Sequence, residues 1–373
     1  MCYMSTNNAF LCAFLYLRRV SHSFVFSCHL RDRLSVPMQS MWFSTLSIVM
    51  WLMSIAGLMF VPFLLLNVFL LFWAFVRRSK AFVIPLMAII PALFFMGRYA
   101  HFTGDDQPPA VFPERVLKVM TWNVGRFSLN NASLGFSGFE QCADSVFAYI
   151  REQQPDIVCL QEFKIKDARK VKQYLKDRMP GYSSEYYIFT GKNSSAGNVT
   201  LSRLPVRNRG VVKFDGGTNL AIFSDYEYAG KVFRVYNCHF ESYNISFSGI
   251  VRGLVKSDKE VFTQTGDKMK RSISRRPKQV DKVFGDIESC PVESFVCGDF
   301  NDNPMSYTYS RMMRDRLDTF VEAGDGFGAT YSRLWPMLRI DYVLCPKSCT
   351  VVTHETPKVK LSDHYPVITE IAL

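Results

Sequence analysis

The sequence predicts an α/β domain of sheets covered by helices, carried behind N-terminal transmembrane helices. Three observations predict it. From Val116 onward, short apolar runs alternate with helically spaced stretches, and many runs are apolar on both sides, as strands buried on two faces are. At least six of these runs carry Asn, Glu, His or Asp at or near an end. Upstream, Met41 to Val76 contains no charged residue, far more than the ~20 apolar residues that one spanning helix needs.

The apolar block has Gly57 and Pro62 near its middle. After Arg77-Arg78-Ser79-Lys80, a second apolar run goes from Ala81 to Met96 and ends at Gly97-Arg98. Length and absence of charge separate both runs from a buried core helix. A cleavable signal peptide fits poorly, because the first stretch is too long and another follows. The block at 41–100 therefore reads as transmembrane segments over 41–76 and 81–97. Arg77, Arg78 and Lys80 should stay cytoplasmic, which puts everything after the second run on the outer side of the membrane. Whether 41–76 crosses once, or twice with a turn near Gly57–Pro62, stays open. Residues 1–40 form a basic tail whose apolar patch, Phe10 to Leu17, is too short to span a bilayer. Met38 and Met41 leave a later start open. Residues 101–113 are a polar, Pro-containing linker, and 114–373 leaves roughly 260 residues for one domain.

Composition narrows the chemistry. The 373 residues are 48% hydrophobic and carry a net charge of +11, with a pI of about 9.1. That favours anionic partners: nucleic acid, phosphorylated small molecules or lipid headgroups. Ten cysteines occur without a CxxC pair or a His-rich partner set, which argues against a zinc site. Cys345 and Cys349 are near enough in sequence for a small disulfide loop. No internal repeat is visible.

The elements follow in order. Val116 to Val124 alternates apolar and polar residues until Gly125 breaks it, a strand with Asn123 at its end. Gly138 to Gln153 has helical spacing. Ile157 to Leu160 is a buried strand with Gln161-Glu162 at its mouth, and a Lys-rich helix follows over Asp167 to Met179. Gly197 to Leu201 is a strand, followed by Ser202-Arg203. Lys231 to Phe240 is a strand ending in Asn237 and His239. Val251 to Lys282 is strongly basic and ends in a helix through Ile287. Phe295 to Cys297 is an apolar run that opens at Gly298 into Asp299-Phe300-Asn301, and Asn303-Pro304 closes the turn. If extended geometry persists through Gly298, Asp299 and Asn301 face the same side. Ile340 to Cys345 is a strand beginning near Asp341. The chain closes on Ser362-Asp363-His364 and a last strand, Val367 to Ala372.

One polar residue at a strand end is noise, or an Asx turn. Asn123, Glu162, His239, Asp299 with Asn301, Asp341, and Asp363 with His364 make a set. Hard oxygen donors and imidazoles in that number point to a magnesium–phosphate site.

The motifs Thr121-Trp122-Asn123-Val124, Gln161-Glu162, Asn237-Cys238-His239, Gly298-Asp299-Phe300-Asn301, Arg339-Ile340-Asp341-Tyr342 and Ser362-Asp363-His364 resemble, in this order, those of the endonuclease/exonuclease/phosphatase superfamily. The resemblance covers about Val116 to Leu373. It implies a four-layer α/β/β/α sandwich and phosphoester hydrolysis in one in-line step. It implies Glu162 as the main Mg²⁺ ligand (Mn²⁺ being the substitute), with Asn123 beside it and Asp363 adding negative charge near the metal. It further implies that Asp299 orients the attacking water, Asn301 holds a phosphate oxygen and His239 stabilises the phosphorane charge. Asp341 would fix His364, the candidate general base. Arg203 matches an arginine that in relatives follows a strand-end serine and touches phosphate; a solvated arginine in a turn is the alternative.

The resulting expectation is a membrane-anchored, Mg²⁺-dependent phosphodiesterase or phosphatase acting on a lipid headgroup, a small phosphodiester or nucleic acid. The alternatives are a tethered nuclease and a non-catalytic module that binds anions through the basic 251–282 segment. No protein partner is inferable. Substrate choice would rest on the loops Asn130–Phe139, Asn244–Lys270 and Tyr331–Leu338.

Overall fold

Two six-stranded sheets organise the protein, as seen in a computed structural model that describes residues 57, 59–102, 116–128, 138–190, 195–243 and 259–373. The first sheet is built from β2 (Val116–Asn123), β3 (Ile157–Ile165), β4 (Ser183–Thr190), β5 (Ser195–Ser202), β13 (Thr350–Glu355) and β14 (Val367–Ala372), in the order β13-β14-β2-β3-β5-β4. The second comprises β6 (Val206–Lys213), β7 (Leu220–Tyr228), β8 (Lys231–His239), β9 (Glu293–Asp299), β10 (Arg316–Asp318) and β12 (Asp341–Pro346), in the order β10-β12-β9-β8-β7-β6. Both are mixed: β2 with β3 and β8 with β9 run parallel, and the other pairs antiparallel.

Side-chain parity builds the layers. Leu117 and Val119 of β2, Ile157 and Cys159 of β3, Phe233 and Val235 of β8, Phe295 and Cys297 of β9 and Val343 of β12 meet in one core between the sheets. The opposite face of the first sheet, with Trp122, Leu160 and Phe163, packs on α3 (Phe139–Gln153) and α4 (Val171–Arg178) through Val146, Phe147, Ile150 and Leu175. The opposite face of the second, with Tyr236, Val296 and Leu344, packs on α5 (Lys259–Ser289) and α6 (Tyr307–Met312). Three cores thus separate four layers, α/β/β/α. Short α7 (Thr319–Ala323) follows β10 and continues its end.

Two apolar helices precede the sheets. They are α1 (Phe60–Val76), of 17 residues, and α2 (Val83–Met96), of 14. Among the described residues, no helix is long and apolar enough to cross a membrane, so the expected transmembrane segments are not seen in them. Residues 1–40, 41–56 and 103–115 lie outside the described residues. The expected linker also begins later than residue 101. Ala100 and His101 form β1, paired with β11 (Gly326–Phe327), and the Arg98 guanidinium donates to the Pro304 carbonyl at 3.0 Å. The segment after α2 is therefore docked on the two-sheet domain. Cys345 and Cys349 are both free, so the disulfide loop does not form.

Candidate active site

Parity carries one row of polar side chains to the mouth of the inter-sheet gap. On β8, residues 233 and 235 face the gap, so Asn237 and His239 do too. On β9 the same count from Phe295 and Cys297 leads to Asp299. On β12, Val343 leads back to Asp341. Register then aligns them: His239 is the Cα partner of Asp299, and Asp299 of Asp341. Across the gap, β2 ends in Asn123, whose amide Nδ2 donates to Asp299 Oδ2 at 2.8 Å. Gly298 allows the row to close up. A Cβ there would sit 2.0 Å from the Cys238 carbonyl oxygen, at φ +132.

Glu162 reaches the site by a different route. Strict alternation from Cys159 and Gln161 would turn it toward the helices. The pairing of β3 with β5 slips between Leu160 and Phe163, and Glu162 takes φ +51. This β-bulge re-aims the carboxylate into the mouth. There Glu162 Oε1 lies 3.7 Å from His239 Nε2, and Oε2 lies 3.2 Å from Arg126 Nε.

Asp363 and His364 arrive on the loop before β14. Ser362 Oγ donates to the Asn123 carbonyl at 2.7 Å, and the Trp122 indole donates to the His364 carbonyl at 2.9 Å. A Cβ on Gly125 would meet Asp363 Oδ1 at 2.8 Å, with φ at +53, so glycine is what lets the two loops touch. His364 Nδ1 sits 2.9 Å from Asp341 Oδ2, and its Nε2 is 4.0 Å from Asp299 Oδ2. Asn301 meets Asp299, but not by strand alternation. The strand stops at Asp299, and Asn301 turns to φ +52. Its backbone N–H then donates to Asp299 Oδ1 at 2.8 Å and its amide to Oδ2 at 3.1 Å.

The site is short of positive charge. Burial, then the Asp341 charge, pushes the Asp299 carboxyl up to about 6, with His364, His239 and the Asn123 amide offsetting only part. Burial alone would lower His364, but Asp341 and Asp299 outweigh it and push the imidazole up to about 10. Asp341 Oδ1 and His239 Nε2 are buried with no hydrogen-bond partner. Both shifts and both orphaned atoms fit a divalent cation at the mouth, which would draw both shifts back. The donor set is carboxylate, amide and imidazole without a thiol, as suits a hard cation. Asp299, Asp341 and His364 offer ligand atoms within 4.8 Å of one another. Glu162 and Asp363 each keep 28% of the side chain exposed, so a solvated ion reaches these two carboxylates first.

One expectation needs correction. Arg203 does not join this group. Ser202 pairs with Ile157, at the start of β3, while Glu162 lies five residues on toward the other end. At ~3.3 Å per residue the gap is roughly 16 Å. Arg203 instead lies over the Tyr182 ring, 5.1 Å from its centroid. The basic 251–282 segment is, over its described residues, largely a solvated helix face, with Lys268, Lys270, Arg271, Lys278 and Lys282 exposed. Arg276 is buried, with Nη1 2.8 Å from Asp302 Oδ2, and Arg275 lies 3.7 Å from Glu241.

The sequence reading also missed residues. Arg126 and Arg333 were not singled out, although each lies against a carboxylate of the site. Beneath the mouth, Gln161 Nε2 donates to Thr121 Oγ1 at 3.0 Å and to Asn237 Oδ1 at 2.8 Å, and Asn198 donates to the Asn237 carbonyl at 3.0 Å. The signal for this layer was available: Thr121 and Asn237 stand two residues before Asn123 and His239, on the same strand face.

Comparison with known proteins places the chain in a family. The sequence profile of the Endonuclease/Exonuclease/phosphatase family matches residues 120–364. No curated protein matches the sequence. Among solved structures, a family protein from Bacteroides thetaiotaomicron is similar at 14% identity, covering 70% of this chain and 99% of that one, with a TM-score of 0.52. A Beutenbergia cavernae endonuclease/exonuclease/phosphatase is similar at 20% identity, covering 69% and 72%, at 0.50. The human Nocturnin catalytic domain with bound sulfate anion is similar at 16% identity, covering 72% and 99%, at 0.50. At these identities the structures speak to the fold alone. The profile match spans well over half the chain, and with it this protein belongs to the endonuclease/exonuclease/phosphatase family of metal-dependent phosphoric ester hydrolases.

Proposed function

We propose that the protein hydrolyses a phosphodiester or phosphomonoester by in-line attack of water, with Mg²⁺ as the working cation and Mn²⁺ able to replace it. The observation that carries this reading is the meeting of the Asp341–His364 pair with Asp299 and His239 at one mouth. Glu162, with Asn123 and Asp363, would hold the cation, which when bound neutralises phosphate charge and stabilises the leaving oxygen. Asp299 orients the attacking water against phosphorus. Asp341 fixes the imidazole of His364 so that Nε2 faces the reacting atoms, placing it to accept the proton of that water. His239 Nε2, unpartnered and 3.8 Å from Asp299 Oδ2, is placed to donate to the phosphorane oxygen. The Asn301 amide is held beside it by Asp299 and by the Phe240 carbonyl at 3.0 Å.

The finer reading is a membrane-anchored enzyme, its catalytic domain on the outer face of a bacterial inner membrane, acting on a lipid-linked or small phosphodiester. Supporting it, α1 and α2 turn Leu65, Phe72, Phe75, Ile84, Met87 and Phe94 outward at 59–77% exposure, an apolar surface that water alone does not explain. Docking of Arg98 on Pro304, five residues from Asp299, keeps the mouth near those helices. The test is the full-length chain in liposomes, assayed in parallel against phospholipids, inositol phosphates and supercoiled plasmid, with Mg²⁺ and with EDTA. Metal-dependent release of a headgroup or small phosphate is expected. Plasmid nicking alone would move the reading to a tethered nuclease. Anion binding that survives EDTA and His364→Ala, without turnover, would make the protein a binding module.

A further inference from the structure

Four carboxylates converge on the mouth: Glu162, Asp299, Asp341 and Asp363. One divalent cation offsets two of those charges. A phosphoryl group would therefore enter a field that is still negative, unless further cations face it. Among the described residues, two arginines are ion-paired to this set, and they come from opposite segments. Arg126 stands on the turn after β2, with Nε 3.2 Å from Glu162 Oε2 and 58% of its side chain exposed. Arg333 stands on the 331–338 loop, with Nε 3.7 Å from Asp363 Oδ2 and 69% exposed. The two segments meet at the site, because Gly125 abuts Asp363 and Ser332 Oγ donates to the Asp363 carbonyl at 2.9 Å.

Neither pair is a structural brace. Exposed single ion pairs contribute little to stability, and neither contact is the two-bond fork by which a guanidinium grips a carboxylate firmly. Arg126 also takes φ +57, an uncommon conformation for a residue with a Cβ. Gly125 and Phe127 beside it also take positive φ, so the whole turn is left-handed where it meets the mouth. Both carboxylates are ones that a cation would engage, and engagement would free both guanidiniums.

We propose that Arg126 and Arg333 form an anion clamp: each rests on a cation-binding carboxylate and turns to the non-bridging phosphoryl oxygens when cation and substrate enter. The clamp rests on the hydrolase reading above and, between its two ester classes, selects the phosphomonoester over the diester of the finer reading. Two guanidiniums beside a cation match a phosphoryl group carrying two negative charges better than one carrying a single charge. The substrate class it selects is the dianionic phosphoryl end group.

The test uses the full-length protein with Arg126→Met, Arg333→Met and the matching Lys variants. Inorganic phosphate binding is measured calorimetrically with Mg²⁺ present, beside kcat and KM on p-nitrophenyl phosphate and bis-p-nitrophenyl phosphate. Each Met variant should weaken phosphate binding and raise KM about tenfold or more, the scale of one lost charge-assisted contact. The loss should be larger for the monoester than for the diester, and Lys should restore part of it. Unfolding temperature should stay within a few degrees of the parent. A parent that turns over either ester while both Met variants keep phosphate affinity and KM within twofold overturns the clamp alone. A parent that turns over neither ester overturns the hydrolase reading, and the clamp with it.

Discussion

Two buried aspartates end strands of the same sheet, Asp318 on β10 and Asp299 on β9, and they live under opposite conditions. Asp318 faces a full complement. Both its oxygens take the Arg339 guanidinium, the Tyr309 hydroxyl donates to it at 2.8 Å and the Phe320 N–H at 3.0 Å. Burial alone would raise its carboxyl, but these partners outweigh burial and hold it below the usual carboxylate range. Asp299 has two side-chain amides, a backbone N–H and two histidines at 3.8 Å and 4.0 Å, but no cation in bonding contact, and it is pushed up to about 6. On the proposed reading, the contrast separates charge that serves the fold from charge held for a ligand. Compensation is complete in the first case and withheld in the second.

Exchanging the two conditions should break that distinction, and the largest effect is on rate. Asp299→Asn or His364→Ala should lower kcat by three orders of magnitude or more, because each side chain acts on the transition state. The unfolding temperature of Asp299→Asn should hold within a few degrees, since the substitution removes a poorly compensated charge along with one acceptor. A variant that loses activity only in step with stability would place Asp299 with Asp318. Arg339→Met should do the reverse. Stranding the Asp318 carboxylate should destabilise the protein by about 3–5 kcal/mol, read by denaturant melts.

A smaller effect sharpens how the loops meet. Gly125→Ala forces a Cβ onto Asp363 Oδ1 at a backbone angle that L-residues avoid. It should cost about tenfold in kcat/KM and about 1–2 kcal/mol of stability, and an unchanged kcat/KM would show that the loops can separate freely.

A further effect concerns pH. Burial, with Arg339 adding to it against Asp318, pushes His354 down to about 3. Its folded form resists a proton that the unfolded chain accepts near the ordinary histidine value of ~6.5. Stability from this residue is therefore complete above about 6.5 and declines as pH falls from there toward 3. His354→Gln should flatten that part of the stability curve. A curve of unchanged slope would assign the acid sensitivity elsewhere.

What the residues disclosed in advance follows from burial. β2, β3, β8, β9, β12 and β14 stand inside the sheets and read as apolar runs with polar ends. β4 and β6 close the two sheets and expose many side chains, so their sequences, Ser-Ser-Glu-Tyr-Tyr-Ile-Phe-Thr and Val-Arg-Asn-Arg-Gly-Val-Val-Lys, carry no inward run to notice. β7 is interior but hides a charge: Asp225 forms a fork with Arg234 of β8, at 2.6 and 2.9 Å, and only the pairing shows that it is neutralised. The same limit explains Arg203. Its strand was legible, but the register that sends it to the far end is a property of two strands. Glu162 was legible as a strand-end carboxylate, whereas the bulge that aims it was not.

Cation binding at the withheld charge is the most direct test. Full-length protein freed of metal is titrated with Mg²⁺ by calorimetry, and hydrolysis of bis-p-nitrophenyl phosphate is followed through the same titration, for the parent and for Glu162→Gln. The account predicts saturable binding that tracks the appearance of activity in the parent, with both lost in the variant and the fold intact. Hydrolysis that persists in EDTA, or Mg²⁺ binding of equal strength in Glu162→Gln, would contradict it.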